Sequence, residues 1–205
     1  MVYENMEKIC KEVDAMFSAI DQIMDKNGFN QYSGDLRWDT SKSLGNPTAW
    51  LPYFTQRLYR KSDKKKVLGV NLLIKDPNCN NRIPFITCGL IIGENEVSGK
   101  SEELYCAGWN YELGKHIKSD DTPLIFSQYE EEKIKIVNYF LQLTKIKNLS
   151  DIEQLIVTPL LRIYETTQQY NDLQSISEDA KNIMAGIQGY TLTLEQIKGL
   201  IEVTG

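Results

Sequence analysis

The chain has 205 residues, of which 41% are apolar and 25% charged, and carries a formal net charge of −5. A chain of this length buries roughly 70% of its unfolded surface in one core, and the composition excludes a disordered or low-complexity polypeptide. The acidic balance works against broad attraction to nucleic acid or anionic membranes, and no apolar run approaches the roughly 18 residues that a membrane helix needs.

At the amino terminus Val2, Met6, Ile9, Val13, Met16, Ile20 and Ile23 recur at steps of four and three. That spacing lays one apolar stripe along a helix over 1–27, which Asn27-Gly28 ends by supplying a left-handed residue. Ile9, Val13, Met16 and Ile20 are therefore expected to be buried against the chain's own sheet. The same stripe could serve as a homodimer seam, so monomer and homodimer both stand. The charged, amphipathic start does not read as a signal peptide, and Cys10, Cys79, Cys88 and Cys106 include no C-x-x-C pair. Reduced thiols and a cytoplasmic location are the expectation.

Residues 28–47 are rich in Gly, Asn, Ser, Asp and Pro and read as a long ordered loop, a type uncommon without a task. Trp50, Leu51, Tyr53, Phe54, Leu58 and Tyr59 follow as a dense aromatic segment. Lys66 to Lys75 alternates as a strand, with Leu68, Val70, Leu72 and Ile74 on one face. Pro84 to Gly93, apolar on both faces, reads as its antiparallel central partner. Leu104 to Trp109 and Leu124 to Phe126 extend the sheet.

From residue 127 onward the pattern reads as helical. Ser127 with Glu130 and Ser150 with Glu153 fit the capping box, and Ile134, Val137, Leu141 and Thr144 share a helical face. Pro159 behind Thr158 suits a helix start, giving two short helices or one kinked one over 151–170. Ser175 with Glu178 and Thr193 with Gln196 open two more. The expectation is a single α+β domain over 1–205: helix 1–27, loop and sheet 28–126, helical region 127–205. Its antiparallel sheet has about four to five strands with the long amino-terminal helix packed on it.

The chemistry-bearing candidates are few. Gly93 to Ser101 resembles a phosphate-binding loop in outline but has one residue too many between Gly93 and Gly99-Lys100-Ser101. Glu94 and Glu96 would also meet the phosphates with negative charge. His116 is the sole histidine, which excludes histidine-rich zinc sites and leaves nucleophilic catalysis without a recognisable partner. An extended backbone over Asp35 to Asp39 would aim Asp35, Arg37 and Asp39 to one side, as a magnesium-dependent phosphodiesterase or nuclease requires. The basic run Arg57, Arg60, Lys61, Lys64, Lys65 and Lys66 could track a nucleic-acid backbone beside Tyr53 and Tyr59. Arg37, Trp38, Trp50, Arg57 and Tyr59 form a candidate recognition face, because Trp, Tyr and Arg dominate interface hot spots. The leading expectation is a non-enzymatic macromolecule-binding protein of the inhibitor, immunity or regulatory type, without a cofactor and with another protein as partner. The Asp35 and Asp39 enzyme is the alternative.

Overall fold

A computed structural model describes residues 2–31, 54–73, 84–97, 116–117, 123–129, 133–169, 173–193 and 196–197. Helix α1 runs Val2–Lys26 and ends where the sequence predicts. Gly28 has φ +77, its N–H donates to Asp25 O at 2.8 Å, and the Phe29 N–H donates to Met24 O at 3.0 Å. This closure satisfies two carbonyls the helix end would leave bare, and glycine adopts the left-handed conformation without strain. Val13, Met16, Phe17, Ile20 and Met24 make up the buried stripe, whereas Ile9 is 49% exposed. Every side chain from 7 to 12 is exposed, so α1 outruns the surface it packs on and the expected burial of Ile9 fails.

The strands are β1 (Asn30–Gln31), β2 (Phe54–Arg60), β3 (Lys66–Leu73), β4 (Phe85–Gly93), β5 (His116–Ile117), β6 (Ile125–Tyr129), β7 (Ile134–Gln142) and β8 (Thr191–Leu192). Among the described residues they form one eight-stranded sheet in the order β1-β2-β3-β4-β7-β6-β5, with β8 beside β7. The fold is α+β, as expected, with more strands than the four or five read from the sequence. β3 and β4 pair antiparallel as predicted, and β4 is central and buried from Phe85 to Ile91. The expected strand over 104–109 lies outside the described residues.

The largest departure is at 134–142, where the sequence predicts helix and the chain forms β7. Ile134, Val137 and Leu141 do fall at helical spacing, but Ile136, Tyr139 and Phe140 lie off that stripe and are equally buried. A segment apolar on both faces and rich in β-branched and aromatic residues is a central strand. β7 accordingly pairs with β4 on one side and β6 on the other.

Helix α2 is continuous over 149–169, built of Leu149–Asp151, a π-helical stretch Ile152–Val157, and Thr158–Gln169. Asn148, rather than Ser150, caps it, accepting from the Asp151 N–H at 3.1 Å. Pro159 does not restart the helix but sits inside it. Lacking an N–H, it leaves the carbonyl four residues back, that of Leu155, without its usual donor. The buried Tyr139 hydroxyl from β7 answers this, sharing its proton between Leu155 O at 3.0 Å and Ile156 O at 2.9 Å. Helix α3 (Leu173–Ile183) follows. At the carboxy-terminal end Thr193 and Gln196 form the predicted capping box, with reciprocal bonds of 3.2 and 2.9 Å.

Helices α1, α2 and α3 pack on one face of the sheet. Phe17 and Ile20 of α1, Ile156 and Leu160 of α2, and Ile176 of α3 share a core with Leu68, Val70, Ile86, Cys88, Val137 and Tyr139. Among the described residues, no helix is long and apolar enough to cross a membrane.

Candidate functional site

Of the five residues expected to form a recognition face, Arg37, Trp38 and Trp50 lie outside the described residues, as do Asp35 and Asp39. Arg57 and Tyr59 are two apart on β2 and so point to the same side, toward α1. The Tyr59 hydroxyl donates to Asp21 Oδ1 at 2.7 Å, and Arg57 Nε lies 3.3 Å from Asp21 Oδ2. The Arg57 contact has ion-pair distance but is not aligned as a hydrogen bond. Tyr59 is fully buried and the Arg57 side chain only 12% exposed, so here both fasten α1 to the edge of the sheet. Burial, together with the hydrogen bond and negative charge of Asp21, pushes the Tyr59 hydroxyl far above its ordinary value, against a smaller opposing effect of Arg57.

The basic run 57–66 is likewise mostly engaged within the chain. Arg60 and Lys64 both pair with Glu96, at 3.4 and 3.6 Å. Lys61 stands 4.5 Å over the Phe29 ring, which itself meets Tyr164 edge-on at 4.9 Å, so a cation-π contact ties the end of α1 to α2. Lys66 Nζ donates to Thr167 O at 2.8 Å, placing a cation at the negative end of α2. Glu94 and Glu96, the acids that spoil the phosphate-loop resemblance, are used to neutralise lysines and Arg60.

What remains is a recess of about 390 Å³ at one end of the helix-covered face, lined by Asp63, Lys65, Lys66, Ile92, Gly93, Glu94, Gln128, Lys133, Ile134 and Lys135. Its floor is one cross-strand row: Lys66 opposes Ile92, Ile92 opposes Lys135, and Lys135 opposes Gln128. Among the described residues, the lining brings four lysines together with two acids, Asp63 and Glu94, an excess of two positive charges. Glu94 pairs with Lys133 at 3.2 Å, while among the described residues neither Lys65 nor Lys135 has an ion-pair partner.

The recess is held by backbone bonds rather than by side chains alone. The Gly93 N–H donates to Lys65 O at 2.8 Å, Val97 N–H to Lys64 O at 3.0 Å, and Glu94 N–H to Lys133 O at 3.2 Å. The turn before β3, the segment after β4 and the turn before β7 are thereby laced together. Gly93 is required for this: a Cβ there would come 2.7 Å from Asn95 O. Asp63 fixes the first turn by accepting from the Lys65 N–H at 2.9 Å.

The opposite face of the sheet carries two apolar clusters, one around Phe85 and Phe140 and one around Val67, Ile91 and Ile136. A buried polar band that includes Gln56, Asn71, Thr87 and Asn138 lies between them. Among the described residues, the amides of Asn71 and Asn138 and the hydroxyl of Thr87 have no hydrogen-bond partner. Gly89 lies beside Asn138, and a Cβ on it would come 2.3 Å from Val137 O.

Sequence reasoning found Lys65 and Lys66 but missed Lys133 and Lys135, because their segment read as helix and its register against β4 is not visible locally. The available signal was the two-sided apolarity of 134–141. Among the described residues, no group of three or more His, Cys, Asp or Glu side chains could hold a metal ion. Compared with protein-family models, curated proteins and solved structures, the chain matches none.

Proposed function

We propose that this chain is a non-enzymatic binding protein that docks a macromolecular partner, another protein of a regulated or inhibited kind, through an acidic group placed in the basic recess. One observation carries the reading. Lys65 and Lys135 border a recess whose walls are tied by backbone hydrogen bonds, and among the described residues they have no ion-pair partner, whereas Arg57, Arg60, Lys64 and Lys66 nearby are engaged. Cations left unneutralised in a fixed recess attract a complementary group and suppress partners of like charge. The overall charge of −5 favours a localised acidic contact over a long polyanion, since the rest of the surface repels the latter.

The test is comparative capture from native lysate with mass spectrometry, using the parent chain and the double variant Lys65→Glu, Lys135→Glu. The reading predicts at least one protein retained by the parent and lost by a variant that melts as the parent does. A capture profile unchanged by charge reversal would remove the recess from any docking role.

A further inference from the structure

We infer that the recess is a phosphate-monoester site, in which Lys65 and Lys135 beside the Gly93 turn take the dianionic head group of a phosphorylated ligand, with Lys66, already bonded to Thr167 O, and Lys133, paired with Glu94, adding their charge alongside. The inference rests on the docking reading above and makes its acidic group specific.

Three features of the recess point to phosphate rather than carboxylate. First, its charge matches. Among the described lining residues, four lysines less Asp63 and Glu94 leave two positive charges, and a phosphate monoester carries about −1.5 to −2 near neutral pH, whereas a carboxylate carries one charge. Second, among the described residues every cation lining it is a lysine. Lysine acts as a point charge with three donors, which suits a tetrahedral anion approached from several directions, whereas planar carboxylates are read best by the two-pronged guanidinium. Third, the donors come from two separate segments: Lys65 and Lys66 at the start of β3, and Lys133 and Lys135 at the start of β7, with Lys135 across the row from Lys66. The backbone bonds from Gly93, Glu94 and Val97 hold those segments together, so little ordering is needed when the anion arrives.

The same features disfavour a nucleic-acid backbone. Each diester carries a single charge, and binding a strand requires a track of cations, while Arg60 and Lys64 beside the recess are already paired with Glu96. Ile92 on the lining adds an apolar surface against which the carbon side of an ester can rest.

The experiment is calorimetric titration of the full chain with inorganic phosphate, glycerol phosphate, a phosphoserine peptide, its unphosphorylated twin, and a short oligonucleotide without terminal phosphates. One saturable site for inorganic phosphate and the phosphopeptide is expected, with the unphosphorylated peptide silent. Lys65→Ala and Lys135→Ala should each weaken binding roughly tenfold, as loss of one charge-assisted contact does, while the exposed control Lys11→Ala leaves it unchanged and all variants melt alike. Phosphate affinity should fall as pH drops below about 6, where the ester loses its second charge, and sulfate affinity should not. Glycerol phosphate binding as tightly as the phosphopeptide would identify a free ester as the source, and a clear preference for the peptide would identify a modified side chain. The inference is overturned if phosphate binds no better than acetate, if the lysine variants bind as the parent does, or if the oligonucleotide binds tightest. Partner capture separates the two readings: capture that still depends on Lys65 and Lys135 without phosphate binding leaves docking standing and sinks phosphate. Phosphate binding with capture indifferent to these lysines does the reverse.

Discussion

Asp21 on α1 holds Tyr59 and Arg57 of β2 at once, one carboxylate oxygen 2.7 Å from the tyrosine hydroxyl and the other 3.3 Å from the arginine Nε. Removing the carboxylate leaves a buried hydroxyl and a nearly buried guanidinium without their partner. Asp21→Ala should therefore destabilise the fold by about 3 kcal/mol, and Asp21→Asn, which keeps an acceptor for Tyr59, by about 1 kcal/mol. Urea unfolding of the two variants checks this. A loss below about 0.5 kcal/mol for the alanine variant would mean the clamp contributes no more than an ordinary surface pair.

Tyr139 and Pro159 are coupled through a carbonyl. The Tyr139 hydroxyl supplies the donor that Pro159 denies to Leu155 O, so Tyr139→Phe should cost about 1 to 3 kcal/mol in the parent. In a Pro159→Ala background the backbone N–H restored at that position can serve Leu155 O, and the same tyrosine change should cost less. A double-mutant cycle measures the difference, and strictly additive effects would contradict the link between the π-helical stretch and the proline.

On the other face of the sheet, the Thr87 hydroxyl is buried without a hydrogen-bond partner among the described residues. Thr87→Val keeps the shape and removes the polar atom, so it should stabilise the protein by about 1 kcal/mol and raise Tm by roughly 3 °C. A comparable fall in Tm would reveal that the hydroxyl is hydrogen-bonded in solution.

Alkaline stability follows from two buried groups. Burial pushes the Cys88 thiol from 9.0 up to about 12, opposed by a hydrogen bond with Tyr139, and Tyr59 is raised from 10.0. Both pKa values are higher folded than unfolded, so the neutral forms are favoured in the fold. Their contribution is fully present below pH 9 and is lost as pH rises, first through Cys88 and above pH 10 through Tyr59 as well. Between pH 9 and 10 the parent should lose up to about 1.4 kcal/mol per pH unit through Cys88. Cys88→Ala, though less stable at neutral pH, should show a flatter slope there, and equal slopes would contradict the assignment.

Local signals served well wherever structure is decided locally. The Asn27-Gly28 stop, the Thr193 and Gln196 box and the β3–β4 pair all rest on neighbours in the chain or on alternation within one strand. Where partners are distant, the sequence misled. Asp21 lies off the apolar stripe of α1, and its partner Tyr59 comes 38 residues later. Arg57 and Tyr59 have the residue types of an interface, and those types equally suit a buried clamp. At 134–142 a helical subset of apolar residues masked a strand apolar on both faces, and with it the register that brings Lys135 into line with Lys66.

The measurement that bears most directly on the basic recess is NMR of the chain with its lysines reductively methylated with carbon-13, a change that preserves their charge. Each lysine then reports separately and can be assigned with Lys→Arg variants. Addition of phosphate should shift Lys65, Lys66, Lys133 and Lys135 along one saturating curve, while Lys8 and Lys11, paired with Glu12 and Glu7 on α1, stay in place. Small unsaturated shifts spread evenly over all the lysines, or recess lysines that do not move, would contradict the account.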